Sequence, residues 1–133
     1  MYEETLLQLS KDPRFRVSES IPTPLSERRN PACGDEVALQ ADISNNKIRN
    51  LKFQAQGCAV CVASASAMCE LLNECDHVTA KNRIEQAMSF FEGDTEWGQD
   101  WGTKAIPALG AVRARPMRMT CVRLAWEALR EVL

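Results

Sequence analysis

Two runs of alternating residues that meet at a four-residue turn constrain this chain most. Val37, Leu39, Ala41 and Ile43 alternate with polar Gln40 and Asp42 after Glu36, the period-two pattern of a half-buried strand. Ser44-Asn45-Asn46-Lys47 follows, and asparagine tolerates the positive φ that a tight hairpin turn demands. A second strand runs from Ile48 to Gln56, with Leu51, Phe53 and Ala55 facing in and Lys52, Gln54 and Gln56 facing out. An antiparallel hairpin built this way has two outer ends. One carries Asn30-Pro31-Ala32-Cys33-Gly34-Asp35 and the other Gly57-Cys58. In register, the hairpin brings these two motifs together in space.

The first of these motifs has its own chemistry. Cys33 is a soft thiolate donor and Asp35 a hard carboxylate, separated by Gly34, which lacks a Cβ and allows a tight or left-handed backbone. Two side chains that would splay to opposite faces of a regular strand can then converge. Asn30-Pro31 is a turn initiator, because proline turns its predecessor away from helix. Cys33 reads equally well as a small hydrophobe in a loop ahead of a strand.

The remaining chain reads as mainly helical. Residues 1–10 form a short amphipathic helix with Tyr2, Leu6 and Leu9 on one face, ending before Asp12-Pro13. Arg14 to Arg29 is polar and contains the helix-averse Ile21-Pro22-Thr23-Pro24, the pattern of a mobile arm or surface loop. After Cys58 comes a helix of small residues with Cys61, Ala65, Met68 and Leu72 as a buried stripe. At the start of that helix, unpaired amide N–H groups and the dipole favour a thiolate at Cys58. A third helix is predicted over Ala80–Phe91. Residues 92–110 hold four of the six glycines and two tryptophans, which predicts irregular structure with a helical turn around Trp97–Trp101. The last helix carries the stripe Cys121, Leu124, Ala125, Ala128 and Leu129, with Pro116 before its start. Arg113, Arg115, Arg118 and Arg123 crowd its approach.

Composition narrows the function. A chain of 133 residues with 45% hydrophobic and 26% charged residues fits one soluble domain. A net charge of −2 argues against a general nucleic-acid binder, and no apolar run approaches a membrane span. Met1–Thr5 lacks the basic-then-apolar order of a signal peptide, so the expected setting is the reducing cytoplasm. Six cysteines there indicate metal binding, redox chemistry or burial rather than a disulfide framework. There is no internal repeat.

Cys33, Cys58 and Cys121 each fall at an expected element boundary. With Asp35 they supply four donors, the number that a tetrahedral zinc ion or a small iron–sulfur cluster requires. The spacing is not that of a zinc finger. Cys58-Ala-Val-Cys61 is a rival redox pair, but Cys61 lies on the apolar stripe and the surrounding pattern is not thioredoxin-like. Cys69 and Cys75 have no partner at a useful spacing, and His77, the single histidine, falls in an expected loop.

Three motifs in order resemble the U-type iron–sulfur assembly proteins (IscU, SufU and the N-terminal domain of NifU). They are Asn30-Pro-Ala-Cys33-Gly-Asp35, Gly57-Cys58-Ala with Ala63-Ser-Ala-Ser66, and Arg118-Met-Thr-Cys121-Val-Arg-Leu124-Ala-Trp126. The resemblance runs from about residue 30 to the C-terminus. It implies an α+β fold, a small antiparallel sheet of about three strands with helices packed on one face. It also implies that Cys33, Asp35, Cys58 and Cys121 bind zinc or an iron–sulfur cluster, [2Fe-2S] or [4Fe-4S]. Cys121 matches the position that accepts persulfide sulfur from a cysteine desulfurase of the SufS or IscS kind. Thr120 stands where IscU-type chains have histidine, whereas the longer Cys58–Cys121 interval and Arg118, which would assist Cys121, match the SufU-like subgroup. The N-terminal helix lacks the family's His-Tyr pair and keeps only Pro13-Arg14. The implied partners are a desulfurase and downstream iron–sulfur carrier or acceptor proteins, with no nucleic acid and no membrane. The implied role is sulfur relay or scaffold, at most a zinc-dependent sulfurtransferase without independent enzyme activity. The alternative is a structural zinc module that mediates protein contacts.

Overall fold

The hairpin forms as the alternation requires. In the computed structural model, which describes residues 2–93 and 96–133, strand β2 spans Glu36–Ser44 and β3 spans Lys47–Gln56. Asn45 and Asn46 both take positive φ, 51° and 62°, between the paired residues Ser44 and Lys47. Strict alternation does not run the whole length of β3. The register slips between Gln40 and Asp42 of β2, and the extra residue on β3 is Asn50, whose φ is 54°. Such a bulge shifts the inward face by one. Ile48 therefore joins Leu51, Phe53 and Ala55 in the core instead of pointing out.

A third strand comes from the stretch read as a surface arm. Ser26–Arg29 forms β1 and pairs antiparallel with β2, giving the order β1-β2-β3. Upstream, Phe15 and Val17 exchange backbone hydrogen bonds with Phe53. Side-chain polarity misled the reading here. Edge pairing uses backbone N–H and C=O, which every residue of Ser26–Arg29 supplies whatever its side chain.

Helix α1 spans Glu3–Lys11 and buries Leu9; Met1, placed at its start by the sequence reading, lies outside the described residues. Helix α2, Ala59–Leu72, is buried on nearly all sides from Cys61 to Cys69. Its small side chains let the backbone approach both the sheet and its helical neighbours. Helix α3, His77–Glu92, starts three residues before its apolar stripe. Asp76 accepts the Thr79 N–H as its cap, so His77 opens a helix rather than sitting in a loop. Trp97 and Trp101 are in irregular structure, and the short helix of this region is α4, Ala105–Gly110, followed by a 3-10 turn over Ala111–Ala114. Trp97 packs at a tilt against Phe90, ring centres 5.1 Å apart, and edge-on against Trp101 at 4.8 Å, so ring packing orders a segment without regular hydrogen bonds.

Helix α5 spans Pro116–Glu131, with Pro116 inside it as the first helical residue, where its missing N–H costs nothing. Helix α5 packs against β1 and β2, α2 packs against β3, and the opposite face of the sheet presents Glu36, Gln40, Lys52 and Gln56 to solvent. Ser64 fastens the two helices: its hydroxyl donates to the Val122 carbonyl and accepts from Trp126 Nε1 at 3.0 Å. All three groups are buried, so none is left without a partner. This pin sets the height of α5 relative to α2, and with it the height of Cys121 relative to Cys58.

Candidate metal centre

At the open end of the hairpin, Glu36 pairs with Gln56, which places Asp35 beside Gly57 one step further out. The approach is close. A Cβ added to Gly57 would stand 2.7 Å from the Asp35 carboxyl carbon, so the carboxylate occupies space that any other residue at 57 would fill. Asp35 Oδ2 accepts the N–H of Cys58, the N-cap of α2, at 3.4 Å. The turn holding Cys33 and Asp35 closes through Gly34 N–H to the Asn30 carbonyl at 2.7 Å and Asn30 N–H to the Asp35 carbonyl at 2.8 Å. Gly34 takes φ +78°, the left-handed conformation anticipated for it.

Cys33, Asp35 and Cys121 each offer a donor atom within 4.8 Å of the others. Asp35 accepts the Cys58 N–H, but the Cys58 sulfur is not part of that trio. The spacing of the two sulfurs suits ligands of one tetrahedral ion. Zn–S bonds of about 2.3 Å separate two ligand sulfurs by about 3.8 Å, and Cys33 Sγ lies 3.9 Å from Cys121 Sγ. Cys61 and Cys69 are fully buried in the core, and Cys75 is half-buried with its thiol on the Leu71 carbonyl. Among the described residues, His77 joins no ligand cluster.

Electrostatics differ across the four. Burial works to raise the Asp35 carboxyl, but hydrogen bonds from the Cys121 thiol, the Cys58 N–H and the thiols of Cys58 and Cys33 outweigh it, so the carboxyl ends below its usual range. Burial pushes the Cys121 thiol well above the ordinary thiol range, and the neighbouring Asp35 carboxylate adds to the effect. The sequence reading placed Cys121 at a helix start among arginines, a setting that favours thiolate. The helix in fact begins at Pro116, so Cys121 lies in its second turn, 3% exposed, beyond reach of the free N–H groups. Nor do all the arginines gather here. Arg113 turns away, its guanidinium 4.1 Å from the Phe90 ring centre and donating to the Phe90 carbonyl. Arg118 stays exposed and borders a cavity of about 290 Å³ with Cys33, Cys121 and Thr120. A groove of about 600 Å³, lined in part by Leu6, Cys58, Val112 and Arg115, also borders Arg118.

The sequence reading missed two residues. Asn30 reads in the sequence as a turn initiator, yet it is buried at 5% exposure with its amide nitrogen 4.0 Å from Cys121 Sγ. Gly57 reads as part of a motif, whereas its missing side chain is what gives Asp35 room. Asparagine at the head of a turn is a legible signal for a side-chain bond to the backbone two residues on; the proximity of Cys121 is not.

The family model described as NifU-like N terminal domain matches residues 1–133. The chain is 29% identical to the iron–sulfur cluster assembly scaffold protein IscU of Thermotoga maritima, covering 100% of this chain and 92% of that one. It is 28% identical to the zinc-dependent sulfurtransferase SufU of Bacillus subtilis, covering 97% and 86%. A crystal structure described as a SUF-system assembly scaffold from Fervidobacterium islandicum superposes with a TM-score of 0.83 at 28% identity, over 98% of this chain and 94% of that one. The N-terminal NifU-like protein of Brucella abortus, at 14% identity and TM-score 0.81 over 98% and 90%, shares the fold. With the family model spanning its whole length, this chain belongs to the NifU-like N-terminal domain family.

Proposed function

We propose that this chain works in iron–sulfur cluster assembly, taking sulfur from a cysteine desulfurase on Cys121 and holding zinc or a nascent cluster on Cys33, Asp35, Cys58 and Cys121. The observation that carries the reading is the convergence of Cys33, Asp35 and Cys121 donors from two separate parts of the chain, with the sulfurs 3.9 Å apart. The names of the relatives, an assembly scaffold and a zinc-dependent sulfurtransferase, point the same way.

The residues present suit the task. A zinc ion bound there would keep its three thiols and one carboxyl deprotonated and held together. Asp35 is the hard donor in a soft set, hence the weaker partner for zinc or iron. A site with one weak arm opens more readily than a four-cysteine site. For sulfur acceptance, the Cys121 thiolate attacks the terminal sulfur of the desulfurase persulfide. A new S–S bond forms on Cys121, the old one breaks, and the desulfurase cysteine leaves as thiolate, with no net oxidation. Arg118 beside the cavity offers a positive charge for the incoming persulfide anion and for the acquired one.

A second reading, structural zinc that mediates protein contacts, draws on the burial of Cys121 and Asp35. Exposed Cys33 and half-buried Cys58 speak for an open site instead. Transfer of labelled sulfur from a desulfurase and its cysteine substrate, followed by mass spectrometry of the Cys121 peptide, tests the proposal. Wild type is expected to carry label on Cys121, Cys121→Ser to carry none, and Cys69→Ser and Cys75→Ser to behave as wild type. Label on Cys61 or Cys69 would contradict the acceptor assignment. A wild type that takes no label while holding zinc firmly would leave the structural reading standing.

A further inference from the structure

We propose that Asn30 is a positioning residue of the metal centre, its side-chain amide donating to the sulfur of Cys121 and so tying the Cys33–Asp35 turn to helix α5. The inference rests on the metal-centre reading above and adds a residue to it.

The amide is fixed from both ends. Oδ1 accepts the N–H of Ala32 at 3.0 Å, the asparagine version of a tight turn, in the loop that carries Cys33. Since that oxygen faces a donor, the other end of the amide must be nitrogen, and it faces Cys121 Sγ at 4.0 Å. The residue is nearly excluded from water. A buried amide donor left unpaired is costly, so its aim at a sulfur is a constraint on the site rather than an accident of an exposed side chain. One side chain therefore spans two ligand-bearing elements that the chain order separates widely.

The chemistry gives the contact a purpose. Three thiolates and a carboxylate around a divalent ion leave a net charge of about −2 at the site. Cys33 is exposed and shares that charge with water, but Cys121 is buried and has little water to do so. An N–H directed at its sulfur takes up part of the charge and holds the sulfur in its ligating position. The amide is neutral at all working pH values, so its support does not vary with protonation.

Two measurements test this, one of which needs no mutation. In wild type loaded with cadmium-113, NMR is expected to show scalar coupling between the metal and the Asn30 side-chain amide protons through the N–H···S bond. In Asn30→Ser the hydroxyl can still accept the Ala32 N–H but cannot reach Cys121. Zinc release to a chromophoric chelator is expected to be roughly tenfold faster in that variant, and the thiolate-to-metal absorption of its cobalt(II) form is expected to shift. Its metal-free melting temperature should stay near that of wild type. A role confined to the turn would move neither the release rate nor the cobalt spectrum, and that result overturns the inference. So does cadmium bound on Cys121 without coupling to Asn30, which decides the matter even if the serine variant does not fold. A wild type that binds no cadmium on Cys121 would overturn the metal-centre reading itself.

Discussion

Cys58 and Cys61 are one helical turn apart in sequence and belong to different environments. Cys58 caps α2 at the rim of the sheet, half-exposed, with its N–H on the Asp35 carboxylate. Cys61 lies inside α2 with no exposed surface, its thiol pushed up to about 12 by burial and then by the Asp35 charge. Cys69, two turns further along, is likewise raised by burial. Cys121 on α5 is as buried as the rest of its apolar stripe, and what sets it apart is its nearness to Cys33 and Asp35. Residue type sets what a cysteine can do; its place at the open end of the hairpin or within the helical layer decides whether it does it.

Serine substitution should break this comparison in two opposite ways. At the rim, Cys58→Ser or Cys33→Ser removes a proposed soft ligand, and zinc affinity should fall by more than the roughly hundredfold limit typical of supporting residues. The metal-free stability of Cys33→Ser should stay within about 0.5 kcal/mol of wild type, because the side chain is exposed. In the core, Cys69→Ser places a hydroxyl among apolar groups and should cost about 1–3 kcal/mol, with zinc affinity unchanged. Chelator competition and chemical denaturation on the same samples measure both quantities. Equal zinc loss in the two classes would erase the distinction.

Gly57→Ala sharpens the rim side alone. The new methyl would overlap the Asp35 carboxylate, which must then move from its place beside Cys33 and Cys121. Zinc release should be roughly tenfold faster, with a stability change of no more than about 1 kcal/mol. An unchanged release rate would show that the carboxylate does not need that space to ligate.

A further effect lies on the core side and appears in alkali. Cys61 and Cys69 are held above their ordinary thiol range in the folded chain, whereas the unfolded chain ionises at about 8.5. Between the two values the folded state binds more protons, so stability is intact below the unfolded pKa and falls as pH rises towards the folded one. Denaturation midpoints should therefore decline from about pH 8.5 upward, and Cys69→Ala should flatten the decline. The same slope in that variant would place the titrating group elsewhere.

Much of this protein is determined by local pattern. The period-two runs fix β2 and β3, paired asparagines fix the turn between them, and Gly34 permits the fold-back at Cys33 and Asp35. These are short-range effects, in which one residue's allowed φ or one face's polarity decides, so they can be read without neighbours. Helix stripes in α2, α3 and α5 are legible for the same reason. Other features needed the assembled chain. The edge strand Ser26–Arg29 exists because β2 presents a free row of backbone groups, not because its side chains prefer a strand. Arg113 joins the aromatic end because Phe90 is there to receive it, and Cys121 loses its helix-start setting because Pro116 already begins α5. Asn30 reaches Cys121 because α5 packs across β1 and β2, beside the turn that carries Asn30. The sequence names the donors and bends the chain at the right places; long-range packing decides which sulfurs stand within bonding distance, because burial and separation belong to pairs of elements and not to either one.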